Sequence, residues 1–372
     1  MVLKNIIKII LEPLYLYKMV VAEKIRKKKM FYRYRKPIEL QFPITYKCNF
    51  DCVMCGMHSL INKKHMSAEE ISNVLADKLY QDVQSVGING GEPFLRLDLI
   101  ECIGNIVNTL PKLRTINIIS NGYCTKKIIN DLKVIKKICT EAKVKLQVSF
   151  SLDGIEEMQG FMRGKEDAYD KLVNTIQLIK DNRDMYCDSL MMICTVTKYN
   201  IYKIYEVEKW SKEYNIEVSY NVATINKRIA NEDRVNDFSV FGDEQARMLT
   251  QEFFYKKYLE TGSEKYYGLF LFLHEGKRYG YCPYEYKEGV TLTPSGEVCY
   301  CATHSEIMGN ALKESSYNIF VDNENYHRDL CNKHCSTCSH YFYSLNSLGK
   351  KKLKKEIDNM RKLVLLPKLR RK

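Results

Sequence analysis

The strongest constraint on the fold is an alternation. From Ile38 the chain switches six times between a short run rich in β-branched and aromatic residues and a longer helix-like stretch. That order marks a parallel α/β sheet, because parallel neighbours need a crossover between them and a helix supplies it. The runs cover 38–44, 83–89, 114–120, 144–152, 188–196 and 216–222. Between them, helices are predicted over 68–79, 98–110, 126–140, 167–180 and 202–214, the first opened by a capping box of Ser67 and Glu70. Six βα units make a partial (βα)6 barrel. Ligands of parallel sheets gather beyond the carboxyl ends of the strands, so the loops after the strands are where chemistry is sought.

The alternation fades after Val235 into Tyr- and Cys-rich sequence. At roughly 150 residues per domain, 372 residues leave room for a second, smaller module there. The expected division is a 1–36 segment, a 37–235 barrel, a small Cys-rich C-terminal domain over 236–345 and a 346–372 tail. With 45% hydrophobic and 28% charged residues, the chain is neither disordered nor fibrous. Charges such as Lys8 and Glu12 interrupt every apolar stretch before the roughly 18 residues of a membrane span. A secretory cleavage site is also missing, so the cytoplasm is the expected compartment. In that reducing setting the 14 cysteines are expected to be metal ligands or buried thiols rather than disulfides.

Charge is concentrated at the ends. Residues 1–36 and 346–372 each carry +9, so the rest totals −5 within the overall +13. Both ends mix basic with apolar residues, a pattern expected of terminal helices with a solvated basic face, or of peripheral contact with an anionic membrane surface.

Directly after the first strand, Cys48, Cys52 and Cys55 form a C-x3-C-x2-C loop. Four thiolates saturate a [4Fe-4S] cluster, whereas three leave one iron open to bind a small molecule. A zinc loop completed by His58 is the alternative. After the second strand comes Gly90-Gly91-Glu92-Pro93, a tight turn with bare backbone groups and one carboxylate suited to a ligand ammonium. Ser120-Asn121-Gly122 follows the third strand and Ser151-Leu152-Asp153-Gly154 the fourth, setting small polar groups at the same sheet edge.

On these motifs, residues 38 to about 225 resemble the radical S-adenosylmethionine (radical SAM) enzymes, with Met54 where the family usually has an aromatic residue. The resemblance implies a TIM-like radical SAM barrel. It implies that Cys48, Cys52 and Cys55 hold a [4Fe-4S] cluster whose open iron binds S-adenosylmethionine, with Gly90, Gly91, Glu92 and Pro93 receiving its ammonium. Ser120 and Asn121 would lie near the ribose, and Ser151 and Arg163 near the ribose or carboxylate end. Relatives often carry His-Asp before that Arg-Gly, where this chain has Met158, Gln159 and Gly160. The implied chemistry is one-electron cleavage of the sulfonium to a 5′-deoxyadenosyl radical, which takes hydrogen from an unactivated carbon. An electron donor such as flavodoxin or ferredoxin is the implied partner. No catalytic residue is assigned beyond the cluster ligands.

A second constellation lies downstream. Cys282 is followed by thirteen residues, Gly296, four residues and Cys301, while Cys335 and Cys338 form a C-x2-C pair. Pro294-Ser-Gly296 reads as a hairpin turn. This resembles the SPASM and twitch extensions of radical SAM enzymes, which implies an auxiliary [4Fe-4S] cluster on Cys282, Cys301, Cys335 and Cys338. Structural zinc on the same four residues is the alternative. Cys299 and Cys331 are left as spare thiols, alternative ligands or hydrogen-atom donors.

Twitch and SPASM relatives modify ribosomal peptides or oxidise and epimerise carbohydrates and aminocyclitols. Peptide-modifying relatives often place a leader-binding module before the barrel, and the 37 residues here are too few for one. The expected substrate is therefore a carbohydrate-like or secondary-metabolite molecule, ahead of a ribosomally made peptide. A zinc-stabilised nucleic-acid-binding protein is the non-enzymatic rival, disfavoured by the acidic body.

Overall fold

The computed structural model describes residues 36–340 and 344–369. All of the basic N-terminal segment except Lys36 lies outside the described residues. The chain forms two compact units: Lys36–Thr250 with Pro283–His334, and Gln251–Cys282 with the chain from Cys335.

In the first unit, β1 (Glu39–Thr45), β2 (Ser85–Gly90), β3 (Thr115–Ser120), β4 (Lys145–Ser151), β5 (Ser189–Val196) and β6 (Val218–Val222) pair in parallel in chain order. Each predicted run is a strand, displaced by two residues or fewer at either end. The crossovers are α1 (Ala68–Leu75), α2 (Leu99–Thr109), α3 (Thr125–Glu141), α4 (Glu157–Arg163), α5 (Ala168–Asp181) and α6 (Ile204–Tyr214). The capping box closes as expected, with Glu70 N donating to Ser67 Oγ and Ser67 N to Glu70 Oε2. The first helix stops at Leu75 rather than 79 because Asp77 Oδ1 accepts from Leu79 N at 2.8 Å, a local turn that competes with further helix. The sheet stays open, an α/β partial barrel.

Strand alternation gives the sheet two unlike faces. Leu40, Val86, Ile116 and Val148 are at most 2% exposed, and right-handed crossovers lay the helices over them. Burying each such side chain is worth about 1.5–3 kcal/mol. The opposite face is polar. Thr291, Gln41, Gly87, Asn117, Gln147 and Ser189 stand in register across it, with Gly87, Asn117 and Gln147 only half-buried.

The hairpin predicted at Pro294–Gly296 is present. Strand β7 (Gly289–Leu292) pairs antiparallel with β8 (Glu297–Cys299), and β9 (Gly309–Asn310) follows. It does not stand apart from the barrel strands: β7 pairs in parallel with β1, Gln41 opposite Thr291, and extends the sheet to nine strands.

The second unit contains the helices Glu264–Glu275 and Ser347–Leu369 and most of Glu244–Thr261. The basic C-terminal tail is helical over Ser347–Leu369, and the first turns of that helix are held within this unit. Lys352 Nζ meets Glu275 Oε1 at 2.6 Å, and Tyr255 Oη donates to Glu356 Oε1 at 3.1 Å. Among the described residues, no helix is long and apolar enough to cross a membrane.

Candidate active site

The loop after β1 carries Cys48, Cys52 and Cys55 into one apolar neighbourhood. Cys52 is buried with Phe50, Met54, Met162, Ala168, Ala223 and Phe238, and Cys48 and Cys55 pack against that group half-buried. Cys55 N donates to Cys52 O at 3.0 Å, closing a turn between two of the thiols, and Met57 N donates to Cys55 Sγ at 3.4 Å. Val53 N reaches Met162 O at 3.1 Å, which pins the loop to α4. Gly56 is required by a close approach, since a Cβ there would run into the Ala230 carbonyl.

Burial pushes the Cys48 thiol up to about 12 and that of Cys52 to about 11, with neighbouring thiols adding to both, and burial raises Cys55, with Asp51 adding there. Three thiols that resist ionisation together need a cationic partner to become ligands, and iron supplies that charge. The donor set therefore fits an iron–sulfur cluster. No three His, Cys, Asp or Glu side chains among the described residues gather as ligands of a single metal ion. A [4Fe-4S] cluster asks for less convergence, because each thiolate binds its own iron.

The second loop is stitched to the first. Gly91 N donates to Thr45 O and Glu92 N to Lys47 O, both at 2.8 Å, just ahead of Cys48. A Cβ on Gly91 would collide with the Lys47 carbonyl, so only glycine allows this contact. The Glu92 side chain is 1% exposed. Its Oε1 accepts from Ser120 Oγ at 2.9 Å and Phe94 N at 3.1 Å, and its Oε2 from Asn121 N at 2.7 Å. Burial nevertheless raises it to about 7. A carboxylate has about four lone-pair sites, so this one retains capacity for a cation such as an ammonium group.

The structure thus gives Ser120 and Asn121 a supporting duty. Ser120 donates to Glu92, and Asn121 Nδ2 donates to Asn49 Oδ1 at 2.8 Å, tying the third loop to the cysteine loop. Ser151 ends β4 half-buried, and its carbonyl accepts from Gln159 Nε2 at 2.9 Å. Arg163 reaches across from the end of α4. Its Nη2 pairs with Asp153 Oδ2 at 2.5 Å and its Nη1 lies 3.7 Å from Cys52 Sγ. Burial opposes the Arg163 charge, but Asp153 and Cys52 more than offset it, so its pKa is raised and the guanidinium stays protonated.

Two groups were not legible beforehand. Gln159, fully buried, clamps the strand-end turn by accepting from Asp153 N at 2.8 Å while donating to Ser151 O. Its signal was an amide standing where relatives have a charged pair. The other is the segment 226–231. Asn231 Nδ2 donates to Met54 O at 2.9 Å, and Ile229 O accepts from Gly56 N at 2.9 Å. No local motif announces that segment.

The downstream cysteines divide between the units. In the first unit, Cys299 lies on β8 and Cys301 just beyond it; burial pushes Cys299 up to about 12, with Cys301 adding to the shift. Cys331 Sγ lies 3.5 Å from His327 Nε2 in the same unit. In the second unit, Arg278 joins the approach to Cys282 with the Cys335–Cys338 turn. It donates from Nε to Gly280 O at 3.1 Å, from its backbone N to Ser336 O at 2.8 Å, and from Nη1 to Cys338 O at 3.4 Å.

Residues 42–207, from β1 into α6, match the Radical SAM superfamily. That stretch, a little under half of the chain, is a radical SAM domain. Its cofactors are accordingly a [4Fe-4S] cluster and S-adenosylmethionine. In sequence it is 40% identical over 87 residues to a GTP 3′,8-cyclase of Shewanella denitrificans, covering 23% of this chain and 26% of that one. It is 22% identical over 190 residues to the molybdenum cofactor biosynthesis protein moc-5 of Caenorhabditis elegans, covering 50% and 30%. The chain spans about a quarter to a third of the length of the curated relatives it matches. Several of those relatives are named for cyclisation of a nucleotide, not for the carbohydrate or peptide chemistry expected from the sequence.

Two solved radical SAM structures share the fold over most of the chain. One is anSMEcpe with bound S-adenosylmethionine and the Kp18Cys peptide, with TM-score 0.59 and 17% identity, covering 89% of this chain and 99% of that one. The other is Streptococcus suis SuiB bound to its precursor peptide SuiA, with TM-score 0.55 and 15% identity, covering 83% and 69%.

Proposed function

We propose that this radical SAM protein is an enzyme that cleaves S-adenosylmethionine reductively and removes hydrogen from an unactivated carbon of a polar organic substrate. The observation that carries this is the stitching of the Gly90–Pro93 loop to the residues just ahead of Cys48, which sets a buried carboxylate beside a three-thiol loop at one sheet edge. In this reading Cys48, Cys52 and Cys55 hold the cluster. When bound and reduced, the cluster supplies the electron that splits the sulfonium carbon–sulfur bond. Glu92 and the Gly90–Gly91 backbone hold the ammonium, Ser120 and Asn121 fix Glu92, and Asp153 with Gln159 sets Arg163 against Cys52. The apolar side chains around the cysteines exclude water and stray hydrogen donors.

For the substrate we infer an oxygen-rich small molecule, carbohydrate-like or nucleotide-like. Gln41, Asn117, Gln147 and Ser189 line the polar sheet face, where an apolar substrate would find hydroxyls and amides to desolvate. Oxidation or epimerisation is the expected outcome for a sugar, and cyclisation for a nucleotide like that of the matched relatives. A second reading, modification of a ribosomally made peptide, draws on the peptide-bound neighbours in fold. We retain Cys282, Cys301, Cys335 and Cys338 as proposed ligands of an auxiliary [4Fe-4S] cluster, and an electron donor of the flavodoxin or ferredoxin class as partner. Peripheral membrane contact gains no support, since Lys352 is engaged by Glu275 within its own unit.

Electron paramagnetic resonance of the reduced, anaerobically reconstituted protein tests the site. S-adenosylmethionine is expected to shift the signal of the cluster on Cys48, Cys52 and Cys55. A spectrum indifferent to S-adenosylmethionine would remove the open iron from the account.

A further inference from the structure

Segment 226–231, after β6, is bonded on two sides. Toward the cysteine loop, Asn231 Nδ2 donates to Met54 O and Ile229 O accepts from Gly56 N, both at 2.9 Å. Just beyond the segment, Arg234 Nη1 donates to Cys55 O at 3.3 Å. On the other side, Lys227 N donates to Thr303 O at 3.1 Å and Arg228 N to Ala302 O at 3.2 Å, while Arg228 Nη1 donates to Asn89 Oδ1 near the end of β2 at 2.7 Å. The segment is a strap: anchored on β2 and on the residues after Cys301, it grips three consecutive residues of the cysteine loop.

Asn231 is the hub of that strap. It is 1% exposed, and both ends of its amide are engaged. Besides Met54 O, its Nδ2 donates to Thr224 O at 3.0 Å, and its Oδ1 accepts from Asn226 N at 2.8 Å. A buried amide satisfied at its oxygen and its nitrogen is held in one orientation. Beside it, Ala230 takes a φ of 49°, a left-handed backbone that alanine disfavours and that persists only where the surroundings demand it. Here the demand is the turn that points the Ile229 carbonyl at Gly56 and the Asn231 amide at Met54.

What the strap holds bears on a ligand sulfur. With Gly56 N committed to Ile229 O, the next amide along, Met57 N, is the one that reaches Cys55 Sγ, at 3.4 Å. An N–H aimed at a ligand sulfur stabilises the added negative charge of a reduced iron–sulfur cluster, and so raises its potential. We propose that Asn231 is a positioning residue for the cluster on Cys48, Cys52 and Cys55. By fixing the Met54 and Gly56 peptides it keeps the Met57 N–H on Cys55 Sγ and sets the reduction potential of that cluster. This rests on the proposed assignment of the cluster to those three cysteines.

The test is a redox titration of the full, anaerobically reconstituted chain, following the electron paramagnetic resonance signal that responds to S-adenosylmethionine. Asn231→Ala is expected to disfavour reduction about tenfold, a shift of about 59 mV to lower potential for one electron. Asn231→Ser, which keeps a shorter donor, should fall between, and takes the place of the alanine variant if that one does not fold. Gly56→Ala drives a Cβ into the Ala230 carbonyl, displaces the strap from the cysteine side and should lower the potential as well. Asn226→Ala is the structural control. It removes the Oδ1 that accepts from Arg228 N at 3.1 Å but leaves the backbone bond to Asn231, so it should lower thermal stability and keep the wild-type potential. A wild-type potential in the Asn231 and Gly56 variants, or an equal shift in Asn226→Ala, would overturn the proposal. A wild type with no signal responsive to S-adenosylmethionine would defeat the cluster assignment instead.

Discussion

The Arg163 guanidinium stands 3.7 Å from the Cys52 sulfur, although 111 residues separate the two in the chain. The same guanidinium pairs with Asp153, which is fully buried. One cation thus serves a buried carboxylate and a cysteine of the first motif together. Removing one partner of a buried pair costs about 3–5 kcal/mol, because the other charge is left uncompensated. Arg163→Gln should lose stability of that order in urea unfolding, and Asp153→Asn combined with Arg163→Gln should recover most of it. If the double variant is no more stable than the single one, the pair is not what holds this corner.

Glu92 sets a pH dependence with a definite sign. Burial raises its carboxyl from the ordinary 4.5 to about 7, so the folded protein holds this proton more tightly than the unfolded chain. Its contribution to stability, on the order of 3 kcal/mol, is present below about pH 4.5 and is lost as pH rises through about 7. An ammonium group prefers the ionised carboxylate. Affinity for S-adenosylmethionine should therefore rise as pH passes through about 7, and Glu92→Gln should flatten that rise in equilibrium dialysis.

Gly91 and Gly104 give opposite expectations for the same substitution. A Cβ at Gly91 meets the Lys47 carbonyl, whereas at Gly104, within α2, it meets nothing within 4 Å. Overpacking costs about 1–3 kcal/mol, so Gly91→Ala should weaken S-adenosylmethionine binding by about five- to a hundredfold. Gly104→Ala should raise thermal stability by up to about 1 kcal/mol through helix propensity and leave that binding alone.

The auxiliary assignment is checked by iron content. The wild type should hold about eight irons, four in each of two [4Fe-4S] clusters, and joint replacement of Cys335 and Cys338 by Ala should leave about half. Unchanged iron in that variant would shift the ligand set to other cysteines.

What the sequence showed follows from which interactions are local. Each strand was readable because residues such as Ile88 and Asn89 alternate between a buried apolar and a half-buried polar place. The cysteine loop and the Gly90–Pro93 turn were readable because each site segment is contiguous. The docking of β7 beside β1 was hidden, since backbone pairing of Gln41 with Thr291 leaves no mark on either segment. Arg228 and Gln159 were hidden for a related reason: their partners, Asn89 and Asp153, are chosen by the folded sheet and not by spacing. Ser120 and Asn121 were found as residues, but their duty toward Glu92 and Asn49 appeared only in three dimensions.

The central claim is that Cys48, Cys52 and Cys55 build the cluster that cleaves S-adenosylmethionine. The direct measurement is chromatographic quantitation of 5′-deoxyadenosine and methionine from the anaerobically reconstituted protein, given S-adenosylmethionine and a strong reductant. The account predicts both products from the wild type and neither when Cys48→Ala, Cys52→Ala and Cys55→Ala are combined. Undiminished product from that triple variant would contradict it.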